Sequence, residues 1–152
     1  MQITLAAIGR AKRSPTTDLF EQYCTRLAWP LNLKELEEKK PLPTEQLMAR
    51  EAELLLDACK GADRLIALDE RGKALSSPAF AQQIERWQLD GSSHIAFVIG
   101  GAAGLHPSVR KRADALISFG AMTWPHMLVR ALLAEQLYRA HSILTHHPYH
   151  KE

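Results

Sequence analysis

The sequence predicts a single α/β domain, with a parallel-type sheet carrying helices on both faces. Three observations predict it. Ile95, Ala96, Phe97, Val98 and Ile99 form an unbroken apolar run of the length and β-branched content of a strand buried on both sides. Such runs alternate along the chain with segments of helical period, and strands alternating with helices build parallel sheets. The 152 residues, 46% hydrophobic and 24% charged, suffice for one domain with a full core. No internal repeat, low-complexity tract or domain boundary divides them, so residues 1–152 are read as one unit.

In chain order, Ile3–Ile8 reads as the first strand. Asp18–Leu27 follows as an amphipathic helix with Leu19, Tyr23 and Leu27 on one stripe, and Trp29-Pro30 closes it. Leu31–Leu36 alternates apolar with polar residues, as a half-buried edge strand does. Glu37 to Lys40, with Pro41 and Pro43, makes a charged surface loop. Thr44 is placed to cap a long helix that turns Leu47, Ala52, Leu55 and Ala58 inward, and Gly61 stops it.

Arg64–Leu68 is the next strand, followed by a turn at Asp69, Glu70, Arg71 and Gly72. Ser77-Pro78 opens a helix, with serine at the cap and proline at the first position. It continues through Phe80, Ile84 and Trp87 and ends near Gly91. Beyond the strand at Ile95, Pro107 begins a short helix holding Arg110, Lys111 and Arg112, and Ala115–Phe119 is the last strand. Gly120–His126 links it to a final helix over Met127–Leu144.

The final helix is apolar almost all round in its first half, at Leu128, Val129, Ala131, Leu132, Leu133 and Ala134. A helix of that kind is buried from more than one side. The domain's own sheet covers one side, and a second subunit is the simplest cover for the other, so a homodimer is expected. Glu135 and Arg139 stand four residues apart in the favourable order of a helix ion pair. The ending His146, His147, Pro148, Tyr149, His150 fits either a frayed tail or an aromatic and imidazole group that meets a base.

The central apolar run breaks into Gly100, Gly101, Ala102, Ala103 and Gly104. Glycine lets a ligand approach the backbone closely, and ligands of open α/β sheets gather outside the carboxyl ends of the strands. A ligand cradle and a plain glycine-rich connection both fit this stretch. It is not the G-x-G-x-x-G of dinucleotide sites, and neither a P-loop nor a G-x-S-x-G motif is present.

Cys24 and Cys59 are far apart and form no CxxC pair, which points to a reducing compartment and to no metal site. The chain opens directly on a strand, and no segment approaches the roughly 20 apolar residues of a membrane span. A cytoplasmic protein without a membrane partner is expected. The net charge of +2 is uneven: residues 1–105 hold 13 Lys and Arg against 14 Asp and Glu, whereas residues 106–152 hold 6 against 3, with six of the seven histidines. A modestly basic end suits an anionic partner, but it lacks the dense basic run of a non-specific DNA binder, and DNA is not expected as a partner.

Four stretches together resemble one family: LDERGK at Leu68–Lys73, FVIGGAAGL at Phe97–Leu105, ISFGAMTWPHMLVRALLAEQLYRA at Ile117–Ala140 and HPYHKE at His147–Glu152. In order and spacing they are similar to the large-subunit ribosomal RNA methyltransferase H family, of the SPOUT class, over essentially the whole chain. The resemblance implies a C-terminal trefoil knot, which periodicity could not have predicted and which connection rules argue against. It implies a homodimer that uses S-adenosylmethionine to methylate N3 of a pseudouridine in 23S rRNA, on assembled ribosomes. Carried over by position, the cofactor contacts fall on Leu68, Gly100, Phe119, Gly120, Ala121, Met122, Thr123 and Trp124. Two positions depart from the family pattern, Ala103 in the glycine loop and Met127 after Pro125-His126.

The chemistry named by the resemblance needs no metal and no covalent intermediate with the enzyme, because a sulfonium donor already carries an activated methyl group. Positioning supplies most of the advantage, and a weakly acidic N3–H calls for a base or a stabiliser of the anion. His126 is the candidate base and Arg130 the candidate charge stabiliser. Tyr149 and His150 are candidates to reach the target base, from the partner subunit's tail. A non-catalytic RNA-binding module and a nucleotide-binding regulator are the rival readings; the intact cofactor positions speak against the former.

Overall fold

The computed structural model describes residues 1–151; Glu152, the last residue of the HPYHKE stretch, lies outside the described residues. Five strands, β1 (Gln2–Ile8), β2 (Leu31–Leu36), β3 (Arg64–Ala74), β4 (His94–Ile99) and β5 (Ala115–Ser118), form one sheet in the order β2-β1-β4-β3-β5. Every pairing is parallel. Between them run α1 (Pro15–Arg26), α2 (Thr44–Ala58), α3 (Ser77–Leu89), α4 (Pro107–Arg112) and α5 (His126–Leu144).

Strand periodicity divides the core in two. On one face Ile3, Leu5 and Ala7 of β1 and Ile95, Phe97 and Ile99 of β4 pack with Phe20 of α1, Ile84 of α3 and Leu133 and Leu137 of α5. On the other, Ala6, Ala67, Ala96 and Val98 meet Ala52 and Leu55 of α2 and Val109 of α4. Helices therefore cover both faces, as the continuous apolar strands require. β2 is an edge strand, as its alternation predicts.

Connections leave β1 and β4 in opposite directions along the sheet. Their carboxyl ends lie side by side, with Ala7 in register with Ile99, and a crevice opens at such a reversal.

The structure corrects three local expectations. Thr44 is the first helical residue of α2 rather than its cap; Pro43 occupies that place and offers no side-chain bond. The cap of α3 is Ser76, whose Oγ accepts from the Ala79 amide at 3.2 Å, while Ser77 donates to Gln136. The segment after Leu68 does not end its strand. Leu68 and Lys73 both stand opposite Ile117, so Asp69–Gly72 bulges out and β3 resumes. A Cβ on Gly72 would fall 2.6 Å from the backbone of Leu116 and Ile117. Close passage of β5, not turn conformation, demands glycine here.

Candidate active site

The bulge within β3, the loops after β4 and β5 and the start of α5 line a pocket of about 530 Å³. Leu68, Ile99, Leu105, Ile117 and Val129 form apolar walls, and the Asp69–Arg71 bulge forms a polar rim. Asp69 accepts the Arg71 amide at 2.8 Å, which folds the bulge on itself.

Seven of the eight positions that the resemblance assigns to the cofactor line this pocket: Leu68, Gly100, Phe119, Gly120, Met122, Thr123 and Trp124. Ala121 sits in the same loop without lining it. The loop is shaped by its own bonds. Ser118 Oγ donates to the Gly120 carbonyl, and Trp124 Nε1 donates to the Phe119 carbonyl at 3.1 Å. Met122 and Trp124 are left exposed. No hydrogen bond ties the amides of Ala121–Trp124 to another of the described residues. Free amides above an apolar slot suit a ligand with a flat apolar ring and polar edges.

The glycine loop closes by Gly104 N–H to the Gly101 carbonyl at 2.9 Å. A Cβ on Gly100 would meet the backbone of Gly104 at 2.9 Å and Leu105 at 3.0 Å. One on Gly101 would meet the Glu51 carboxylate at 3.0 Å. These glycines let the loop fold and make way for Glu51, and both also line the pocket. Sequence reasoning missed Glu51, which is buried beneath the loop with its pKa raised by burial. Its place between Leu47 and Leu55 on the inward stripe of α2 was the available signal.

His126, the first residue of α5, lines the pocket and its Nε2 is buried without a partner. Burial, then the neighbouring Arg130 charge, holds its pKa below the ordinary value, against a smaller opposing pull from Glu35. The ring is therefore neutral near pH 7, with one nitrogen able to accept a proton.

Arg130 lies one turn further along and is only 2% exposed. Its Nη1 donates to Glu35 Oε2 at 2.6 Å and its Nη2 to the Gly9 carbonyl at 3.0 Å. Burial opposes ionisation of Glu35, but bonds from Arg130 and the Ala11 amide, with the charges of Arg130 and Arg10, hold its pKa below the usual carboxylate range. Arg130 spends its charge on the fold rather than on the pocket.

Tyr149 and His150 are elsewhere. Tyr149 stacks edge-on against Tyr138 at 4.6 Å between centroids, and its hydroxyl donates to Glu135 Oε1 at 3.0 Å. Burial and its bonds to Tyr23 and Glu135 push the phenol's pKa up. Arg139 bonds both Glu135 and His150, so the expected helix pair is also a support for the tail. At 1.5 Å rise per residue, Arg139 stands about 20 Å along α5 from His126. One chain does not bring its own tail and pocket together. Among the described residues no group of His, Cys, Asp and Glu is placed to hold a metal ion, and no helix is long and apolar enough to cross a membrane.

Residues 1–150 match the family model described as "Predicted SPOUT methyltransferase". The chain belongs to the SPOUT methyltransferase family. As a member it is an S-adenosylmethionine-dependent methyltransferase. It is 58% identical to the ribosomal RNA large subunit methyltransferase H of Paramagnetospirillum magneticum, over 99% of both chains. It is 56% identical to the protein of that name from Rhodospirillum centenum, again over 99% of both. A probable methylase family protein from Haemophilus influenzae superposes with a TM-score of 0.60 at 13% identity, covering 99% of this chain and 70% of that one, which bears on fold alone. Within this SPOUT chain, the pocket beside the β3 bulge and the carboxyl ends of β4 and β5 combines apolar walls with free amides.

Proposed function

We propose that this methyltransferase acts on large-subunit ribosomal RNA, transferring a methyl group to N3 of a pseudouridine in 23S rRNA on assembled ribosomes. It does so in the cytoplasm, as a homodimer. The observation that carries this reading is the likeness over 99% of both chains to relatives that bear a large-subunit rRNA methyltransferase name. When bound, S-adenosylmethionine supplies an electrophilic methyl group on a sulfonium. The rest falls to the chain. Leu68, Gly100 and the Phe119–Trp124 loop hold the donor, and the apolar walls exclude water from it. His126 takes the N3 proton, a role supported by its neutral ring and its place in the pocket wall. Tyr149 and His150 of the partner subunit orient the target base, since the chain's own tail is held far along α5.

Two features support the homodimer and the knot. Leu128, Val129 and Leu132 remain only half-buried after α1 and α3 have flanked α5. The neighbouring helices meet part of the all-round apolar demand, and a second subunit meets the remainder. Membership of the SPOUT family supports a threaded chain.

The test is transfer of labelled methyl from S-adenosylmethionine to ribosomes from a strain lacking this activity, followed by mass spectrometry of the rRNA nucleosides. Label at a single pseudouridine of 23S rRNA is expected. Label confined to small-subunit rRNA or to tRNA rejects the substrate assignment.

A further inference from the structure

The loop between β1 and α1 contains Arg10, Lys12 and Arg13, all exposed, while its backbone is held at three points. The Gly9 carbonyl accepts from Arg130 Nη2 at 3.0 Å. The Ala11 amide donates to Glu35 Oε2 at 2.6 Å, the oxygen that also receives Arg130 Nη1. The Lys12 carbonyl accepts from Thr17 Oγ1 at 2.8 Å, in the first turn of α1. An exposed loop of this length is ordinarily left to solvent. Here a guanidinium is taken almost wholly out of water to anchor it. Buried ion pairs do little for net stability, because desolvation offsets their attraction. What this pair does supply is a fixed position.

That position is next to the pocket. A Cβ on Gly9 would lie 3.9 Å from Cε1 of His126, and the ends of β1 and β4 are neighbours in the sheet. Arg10 reaches Glu37 only at 3.4 Å and Arg13 reaches Asp18 only at 4.0 Å, both as exposed pairs. Such pairs are weak and exchange readily for another anion. Lys12 forms no ion pair with any described residue.

We infer that the Arg10–Arg13 loop is a phosphate-binding surface, which grips the backbone of the RNA strand presenting its base to the pocket. Arg130 and Glu35 are its positioning residues. The inference deepens the ribosomal RNA reading and rests on it. In a chain of net charge only +2, a few preorganised cations beside the reacting base add to the electrostatic part of binding where it positions the strand. Arg130 thereby acts on the substrate through the loop.

The experiment measures methyl transfer to ribosomes over a series of salt concentrations, for the wild type and for the double variant Lys12→Ala/Arg13→Ala, with cofactor affinity by calorimetry. Both side chains are exposed, so the fold is not at risk. Expected are a several-fold higher KM for ribosomes, unchanged cofactor affinity and unchanged kcat at saturation. The slope of log(kcat/KM) against log salt should flatten by about 1.4 for two lost phosphate contacts. Glu35→Gln should raise KM and speed hydrogen exchange at the Ala11 amide while leaving the slope alone, because no loop charge is lost. If the wild type methylates ribosomes and the double variant keeps the same KM and slope, the loop has no such role. A wild type that leaves ribosomes unmethylated overturns the substrate reading and the loop assignment together.

Discussion

Arg139 donates from Nη1 to Nδ1 of His150 across 3.0 Å. A guanidinium can only donate, so Nδ1 accepts and the imidazole proton sits on Nε2. His150 then offers a hydrogen-bond donor outward, suited to an oxygen or developing anion on the target base rather than to removing a proton. Nitrogen-15 spectra of the histidine rings should show His150 as the Nε2–H tautomer, and Arg139→Met should mix the two tautomers. An Nδ1–H ring in the wild type would contradict this assignment.

The glycine loop is sensitive to single atoms. Gly100→Ala places a Cβ 2.9 Å from the Gly104 backbone, and overpacking of that kind costs about 1–3 kcal/mol. Thermal melting should show the loss, with weakened S-adenosylmethionine binding by calorimetry. Ala103→Ser, at an exposed position of the same loop, should leave both unchanged.

His126 makes stability depend on pH in a defined direction. Its pKa in the fold is lowered below the ordinary 6.5, so between the two values the unfolded chain binds a proton that the folded chain refuses. Stability therefore falls as the pH drops through 6.5 toward the lowered value, and the histidine makes no difference above that range. Denaturant unfolding on either side of pH 6.5 should show an acid loss in the wild type that His126→Gln reduces. An NMR titration midpoint of His126 at or above 6.5 contradicts the cause.

Removing one member of the Arg130–Glu35 pair should hurt more than removing both. Glu35→Leu leaves the fully buried guanidinium uncompensated, which costs about 3–5 kcal/mol. The double variant Glu35→Leu/Arg130→Met should recover most of that stability in chemical denaturation, yet remain poor at methylating ribosomes because the Gly9–Arg13 loop is unanchored. Full activity in the double variant would leave the pair with a purely structural role.

Deleting 148–152 should leave dimerisation and cofactor binding intact and abolish methylation of ribosomes. The tail and the pocket of one chain lie far apart, so two disabled proteins should complement each other. A tail-deleted chain mixed with His126→Ala should regain part of the activity through heterodimers. A mixture that stays inactive while light scattering shows heterodimers argues against a tail working in its partner's site.

The sheet was legible because its strands are apolar on both faces, and β2 because it alternates. The pocket was legible in outline: glycines at a strand end mark Gly100, whereas the Phe119–Trp124 loop read only as a connection until the family resemblance singled it out. Pair distances were not. Nothing local announces that Glu35, on an edge strand, receives an arginine from the last helix, or that Glu51 sits under Gly101. Gly72 read as a turn because sequence shows a glycine's freedom but not the strand passing 2.6 Å from its absent side chain.

Arg130 reaches Glu35 across 95 positions and Gly9 across 121, and this span imposes an order of events. During synthesis the amino-terminal segment emerges long before the helix that secures it. β1 likewise waits for β4, its central neighbour. Distant closures of this sort make folding slow. The emerging polypeptide therefore has no firm grip on nucleic acid while it is still attached to a ribosome, the very particle it is proposed to modify. Competence arrives only with completion of the carboxyl-terminal helix, and a protease that trims that helix would disarm a loop from the opposite end of the chain.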